Sequence, residues 1–313
     1  MRYIGIIVLL VLCLALLSSF GCIINTVNAQ TFSGDSGIHE NTEESVKWSG
    51  LGMGTYWGFD SYVDTILANG FIELRIDIPS YENTTWLANS KTAVISAVGK
   101  GADVIWGVSA GTTLTSSNWA DYRIAVLNAA QWAQANRVFE FQLGNELEGM
   151  IDDTTLTVTK LIANLKSLAT EVQAIFTNGN ISYSCWQVFI DDWITAGKGD
   201  IDILASNIYM GGDGYYGGNK WKTDITKLVN AFGSNGTYIT EFNLSWSSLD
   251  DYSTDEVIQA VGIAGMIKYF KVSGIKRALY FAWKDDGEFR FGALKADDNY
   301  RLLWNQALLN QDP

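Results

Sequence analysis

Short apolar runs alternate along this chain with longer segments in which apolar residues recur every three to four positions. Short continuous apolar runs are typical of strands buried on both faces, whereas the three-to-four spacing is typical of amphipathic helices. The strand-like runs lie at 50–56, 72–78, 103–109, 139–145, 181–186, 201–209, 238–242 and 278–283. Helical patterns lie between them, for instance at 119–135, 154–176 and 254–271. Strand alternating with helix predicts parallel βαβ units.

Eight such units in about 260 residues match the size of a (β/α)8 TIM barrel, an α/β fold. We expect a single domain, because the sequence shows no linker or low-complexity tract inside the region 47–313. A doubly wound open sheet is the alternative. That fold usually has a glycine-rich dinucleotide-binding turn after the first strand. Glycines occur here at 50, 52 and 54, but the third glycine is not at the spacing that the motif requires.

The N-terminal region differs in character from the rest of the chain. Residues 1–29 combine an apolar stretch, 4–20, with a small-residue end at 27–29, which predicts a secretory signal peptide or an uncleaved membrane anchor. Residues 30–46 are polar and predict a flexible segment before the barrel at 47–313. The protein is therefore expected to be secreted or on the extracellular surface, touching a membrane only through that anchor.

Composition and charge narrow the classes of partner. The formal net charge of −13 argues against nucleic acid or an anionic membrane, and a neutral polysaccharide or oligosaccharide is compatible with it. Cys185 is the one cysteine beyond residue 29, so no intramolecular disulfide is expected there. The one histidine, His39, precedes the first predicted strand, which excludes a Ser-His-Asp triad or a histidine-rich metal site in the barrel. No metal, cofactor or protein partner is predicted.

Two glutamates stand at the ends of predicted strands, Glu146 after the fourth and Glu241 on the seventh. Strand carboxyl ends form the ligand face of a parallel barrel, so these two carboxyl groups are expected to converge. A converging pair is what glycoside hydrolysis requires. The alternative for each is a structural role, as a helix cap or as the partner of an arginine at the barrel rim.

Taken together, the strand ends resemble those of the clan A retaining glycoside hydrolases, the (β/α)8 superfamily of many cellulases and mannanases. Fourth strands of that clan end in Asn-Glu, matched by Asn145 and Glu146, and seventh strands end in the nucleophile, matched by Glu241. The resemblance implies that Glu146 is the acid/base and that Asn145 binds the sugar 2-hydroxyl. It also implies a double-displacement mechanism without a cofactor.

Other positions extend the resemblance. Arg75 matches the clan's arginine on strand two, Tyr209 the tyrosine that hydrogen-bonds the nucleophile, and Trp283 the sugar-stacking tryptophan after strand eight. Trp246 is a further expected subsite wall, because sugar faces stack on aromatic rings.

One departure from the clan concerns histidine, which many members carry at the ends of strands three and six. Trp106, Ser109, Asn207 and Gln187 are expected to supply hydrogen bonds in its place, and Trp106 is counted among the substrate-binding residues.

The sequence thus predicts a secreted retaining glycoside hydrolase, endo-acting on a β-linked polysaccharide such as a glucan or mannan. The alternatives are an exo-acting β-glycosidase on oligosaccharides and a carbohydrate-binding barrel without catalysis.

Overall fold

The structure is a computed structural model, which describes residues 48–55, 62–76, 78–111, 113–210, 219–244, 256–284, 292–293, 295 and 308. All of them belong to the second of the two units into which the chain divides, Glu44–Pro313.

Eight parallel strands form a closed barrel in which each strand pairs with the next along the chain and β8 pairs with β1. Closure is direct, since Leu51 is in register with Ala278 and Gly54 with Phe281. The strands are β1 (Leu51–Gly54), β2 (Glu73–Arg75), β3 (Asp103–Gly107), β4 (Glu140–Asn145), β5 (Asn180–Trp186), β6 (Ile203–Met210), β7 (Ile239–Leu244) and β8 (Ala278–Phe281).

A helix follows each of the first seven strands and covers the barrel. These helices are α1 (Val63–Ala68), α2 (Thr84–Gly99), α3 (Trp119–Ala135), α4 (Val158–Gln173), α5 (Ile190–Ala196), α6 (Lys220–Phe232) and α7 (Glu256–Val272). Two 3-10 turns, Leu147–Met150 and Gln187–Phe189, follow β4 and β5.

Local sequence explains where the helices begin and what they bury. The side chain of Asn83 accepts a hydrogen bond from the Trp86 amide and caps α2, and Thr157 does the same for α4 through the Lys160 amide. In α4 the buried face carries Leu161, Leu165 and other residues at three-to-four spacing, as an amphipathic helix against a sheet requires.

The predicted TIM barrel is confirmed, and the doubly wound sheet is wrong because β8 closes onto β1. Several strands are shorter than predicted; β2, for example, is Glu73–Arg75, where the sequence predicted a strand from residue 72 onwards. Cys185 is a buried free thiol. In the described part of the chain, no helix has the length and apolar character needed to span a bilayer.

The amino-terminal end of the barrel is filled by a charge cluster. Arg277, just before β8, pairs with Glu73 at 2.9 Å and with the fully buried Glu140, while its guanidinium stacks on the Tyr238 ring at 3.6 Å. The Tyr238 hydroxyl donates to Glu140 at 2.7 Å. Two carboxyl groups thus share one cation, so it is unfavourable for both of them to be ionised at once.

We predict that this cluster makes stability fall with pH. Burial raises the pKa of Glu73 to about 7, with Arg277 opposing the shift and Glu140 adding to it. Because this folded-state pKa exceeds that of an unfolded glutamate, the stability contribution is complete below about pH 4 and is lost as pH rises through about 7, by roughly 3 kcal/mol in total.

Urea unfolding at pH 5 and pH 8 checks this. Glu73→Gln should lose less stability across that interval than the wild type, whereas Glu171→Gln, which removes a glutamate from the surface pair with Arg123, should lose as much as the wild type. Equal pH dependence of the Glu73→Gln variant and the wild type would contradict the prediction.

Candidate active site

Glu241 is held by two donors at the carboxyl end of the barrel. Arg75 donates from Nη1 to its Oε1 at 2.7 Å, and the Tyr209 hydroxyl donates to its Oε2 at 2.6 Å. Glu241 is 7% exposed and Arg75 is 2% exposed. Because both neighbours donate, the arrangement matches the ionised carboxylate, which only accepts hydrogen bonds. The predicted neighbours of Glu241 are therefore brought together.

The orientation of Arg75 is fixed by a buried amide. Its Nε donates to Gln142 Oε1 at 2.8 Å, and Gln142 Nε2 donates in turn to the Gly144 carbonyl at 3.0 Å. Gln142 lies on β4 and is fully buried. Gln142 was not among the predicted site residues, although a glutamine in the middle of a predicted buried strand is a signal, since buried polar groups need partners.

Asn207 connects the ends of β4, β6 and β7. Its Nδ2 donates to Asn145 Oδ1 at 3.1 Å, and its Oδ1 accepts from Ser184 Oγ at 2.9 Å and from Thr240 Oγ1 at 2.8 Å. It is in register with Glu241 on the neighbouring strand. Asn207 was expected as a substitute for histidine, and the structure places it between the two acid-bearing strands.

Gln187 and Ser109, the other polar substitutes, have supporting positions. Gln187 is buried, accepts from the Tyr209 amide at 3.1 Å and donates to Asp224 at 2.9 Å, so it steadies the backbone that carries the tyrosine. Ser109 contacts the sulfur of Met150 at 3.8 Å.

Glu146 is the first residue beyond β4 and has left-handed backbone dihedrals, φ 49° and ψ 36°. This conformation is uncommon outside glycine. Its amide donates to the Ser184 carbonyl at 2.9 Å, and its carbonyl accepts from the Gly149 amide at 3.0 Å. The left-handed turn thus redirects the chain at the end of the strand and leaves Glu146 half-buried at the barrel mouth.

The electrostatic surroundings of Glu146 differ from those of Glu241. Burial, with the negative charge of Glu241 as the next cause, raises the pKa of Glu146 to about 8, while a hydrogen bond from Asn207 opposes the shift. Burial, with the negative charge of Glu241 as the next cause, also holds the pKa of Tyr209 well above its usual range, so that its hydroxyl stays a donor. The site therefore combines a carboxyl group that retains its proton with a carboxylate held by two donors, the assignment that general acid catalysis needs.

The three predicted tryptophans have different positions. Trp283 follows β8 with 2% of its surface exposed, and its amide donates to the Gly54 carbonyl at 3.1 Å. Trp246 lies outside the described residues. The placement of Trp106 corrects the prediction: it is fully buried, donates to Ser90 on α2 at 2.6 Å and packs on Trp132 of α3. Its side chain points to the helix layer, because alternate residues of a barrel strand face outwards.

Solved structures resemble this barrel, whereas no protein-family model and no curated protein sequence matches the chain. A family 5 xyloglucanase from Paenibacillus pabuli is 14% identical, with 84% of this chain and 96% of that chain covered and a TM-score of 0.56. A GH113 β-1,4-mannanase is 12% identical, with coverages of 85% and 96% and a TM-score of 0.57. Endoglucanase Cel5A from Thermotoga maritima is 14% identical, with coverages of 85% and 97% and a TM-score of 0.59. At such identities the likeness shows a shared fold.

We predict that the buried Arg75–Glu241 pair is strongly coupled. Arg75→Met leaves Glu241 buried without its cation and should destabilise the fold by about 3–5 kcal/mol. Adding Glu241→Gln should recover part of this loss, because the amide removes the uncompensated charge. Urea unfolding of the two single variants and the double variant measures the coupling.

Arg123→Met is the matched control, since it breaks the surface pair with Glu171, in which the arginine is 41% exposed. Its effect should be much smaller. Additive effects of the Arg75 and Glu241 substitutions would show that the two side chains are not coupled.

Proposed function

We propose that this protein is a retaining glycoside hydrolase that cleaves β-glycosidic bonds in a polysaccharide. The observation that carries the proposal is the pairing of two differently tuned carboxyl groups: Glu241 accepts from Arg75 and Tyr209, and Glu146 has a raised pKa. Glu146 directly follows the carboxyl end of β4, and Glu241 of β7 is in register with Asn207, which bonds Asn145 at that end. This supports the proposal, since catalytic residues of TIM-barrel enzymes lie on the face at the strand carboxyl ends.

In the proposed first step, the Glu241 carboxylate attacks the anomeric carbon while Glu146 gives its proton to the departing glycosidic oxygen. The glycosidic bond breaks as a covalent glycosyl-enzyme forms. Glu146, now a carboxylate, takes a proton from water as that water attacks the same carbon. The bond to Glu241 then breaks and both groups return to their starting states, with net retention of configuration.

Polar neighbours complete this chemistry. Asn145 is half-buried beside Glu146 and is fixed by Asn207, so its amide is available for the sugar 2-hydroxyl next to the anomeric carbon. Arg75 and Tyr209 keep Glu241 in place as negative charge leaves it during attack. Trp246 is proposed as an aromatic contact for a neighbouring sugar unit. Trp283, just beyond β8, is 2% exposed and has almost no surface for such a contact, which corrects its prediction as a stacking residue.

Endo action on a β-glucan or β-mannan is the substrate class we favour. The enzymes with this fold named above include a xyloglucanase, a β-1,4-mannanase and an endoglucanase. Exo action on oligosaccharides and binding without turnover are the outcomes that would replace this proposal.

A polysaccharide panel tests the proposal. We expect the wild type to release reducing sugar from at least one β-linked polymer, with large oligosaccharides among the early products and retained configuration by proton NMR. Early release of monosaccharide alone would indicate exo action, and products of inverted configuration would exclude Glu241 as nucleophile. Binding without release of sugar would indicate a carbohydrate-binding barrel without catalysis.

Two variants separate the roles of the acids. Glu241→Ala should be inactive on every substrate, because the covalent step is lost. Glu146→Ala should retain activity on aryl glycosides with good leaving groups, which need little proton transfer, and added azide should increase it. Glu171→Ala, which removes a surface glutamate of α4, is the control and should retain full activity.

We further propose that the enzyme is secreted or held at the extracellular surface. The apolar stretch at 4–20 followed by small residues at 27–29 supports this. Expression of the full chain with N-terminal sequencing checks it: a mature start near residue 30 in the medium indicates cleavage, an intact N-terminus in the membrane fraction indicates an anchor, and intact protein in the cytoplasm contradicts the proposal.

A further inference from the structure

A second carboxyl group lies two residues beyond Glu146, and the reaction proposed above does not use it. Glu148 belongs to the 3-10 turn after β4 and is 4% exposed. Burying a carboxylate is costly unless it is hydrogen-bonded, so its surroundings should show what compensates the cost.

The groups around Glu148 are donors. Trp193 of α5 donates from its indole Nε1 to Oε1 at 2.6 Å, and the Trp186 amide donates to Oε2 at 3.4 Å. Burial raises the pKa of Glu148, and its neighbours, led by Trp193 and including Tyr183, oppose the shift. The two donors match the ionised carboxylate, which only accepts hydrogen bonds.

Tyr183 connects this carboxylate to the backbone of the catalytic turn. Its hydroxyl accepts from the Leu147 amide at 3.1 Å, and the same side chain lowers the pKa of Glu148. The Leu147 amide belongs to the peptide unit that directly follows Glu146. That unit must keep the left-handed conformation of Glu146, φ 49°, which costs free energy and persists only when its surroundings hold it.

We propose that Glu148 is a positioning residue: through Trp193 and Tyr183 it holds the left-handed turn that aims Glu146. A negative charge on Glu148 also acts in the same direction as that of Glu241 on the pKa of Glu146. This inference rests on the proposed function, since it assigns a role in general acid catalysis. Glu148 acts through Glu146 and does not touch the substrate.

Other titratable groups lie around the two acids. Arg75 of β2 and Glu241 of β7 act on Glu146 directly, and Tyr183 and Cys185 of β5 and Tyr209 of β6 are buried groups that the acids affect in turn. Among them Arg75 is the cation, and it is paired with Glu241. The charge of Glu148 is therefore not neutralised by a local cation in this group.

The test is Glu148→Gln in the full-length protein, assayed on two aryl β-glycosides of the sugar found in the panel, one with a good and one with a poor leaving group. We expect kcat/KM to fall about 10- to 100-fold for the poor leaving group, the loss typical of a misplaced catalytic group. For the good leaving group, which needs little acid catalysis, it should fall by less than about threefold. Loss of one buried charge should also move the midpoint of the basic limb of the pH profile to lower pH, by roughly half a pH unit.

The sign of this pH effect follows from the role of the proton. Glu146 is active as an acid when protonated, so activity is lost as pH rises through its raised pKa. Without the negative charge of Glu148, Glu146 ionises more easily and the loss begins at lower pH.

Tyr183→Phe is the second variant, because it removes the hydroxyl relay and leaves the charge in place. It should show the same dependence on leaving group with a smaller displacement of the basic limb. Glu171→Gln removes an exposed glutamate of α4 and should match the wild type in both assays.

Either of two results would overturn the inference. Equal losses on both substrates with an unmoved basic limb would assign Glu148 to the stability of the fold, and unchanged kinetics would remove it from the reaction. If the wild type turns over neither substrate nor any polymer of the panel, the proposed function itself fails, and this inference fails with it.

Discussion

The ion pair between Arg75 and Glu241 joins β2 and β7, which are separated in the barrel by β1 and β8. A charge pair this deeply buried is favourable only with good geometry and with its remaining hydrogen-bonding positions filled. Gln142 and Tyr209 fill two of those positions. The barrel must therefore close, and four strands must end in register, before this pair can exist. The site in turn penalises structures in which closure is incomplete.

Arg75 also gives the two glutamates at the barrel mouth, Glu241 and Glu146, different electrostatic surroundings. Its nitrogen atoms donate to Glu241 and to the neutral Gln142, and within the described part of the chain no cation is in ion-pair contact with Glu146. Glu146 has a neutral amide neighbour, Asn207, and the negative charge of Glu241. The same chemical group is thus stabilised as an anion in one place and as an acid in the other. The difference lies in which strand ends supply charge and which supply amides.

How far the sequence predicts this site depends on the kind of signal each residue carries. Glu146, Glu241, Arg75 and Tyr209 were found because strand ends are visible as the ends of apolar runs, and strand ends meet on one face. Trp106 was misplaced because its strand is buried on both sides. In such a strand, inward and outward residues are all apolar, so the sequence does not reveal which way the indole points.

Residues that act through others were harder to find. Gln142 was missed because its partner, Arg75, is distant in sequence and only the folded barrel brings the two together. Glu148 resembles an ordinary acid of a surface turn, and its burial depends on Trp193, which comes from the helix after the next strand. The left-handed dihedrals of Glu146 leave no trace in the sequence, because glutamate is not the residue that such a turn usually selects.

The two ends of the barrel carry charge clusters of the same composition, one arginine and two glutamates, with different consequences. At the amino-terminal end Arg277 contacts both Glu73 and Glu140, and Tyr238 covers the arrangement. At the carboxyl end Arg75 contacts one glutamate, and the other is half-exposed at the mouth. Each end thus has one glutamate with a raised pKa, Glu73 or Glu146. Glu73 is enclosed by an arginine that it shares with a second acid, so its proton affects stability alone, whereas Glu146 has no such partner among the described residues and lies at the mouth, where its proton can reach a substrate.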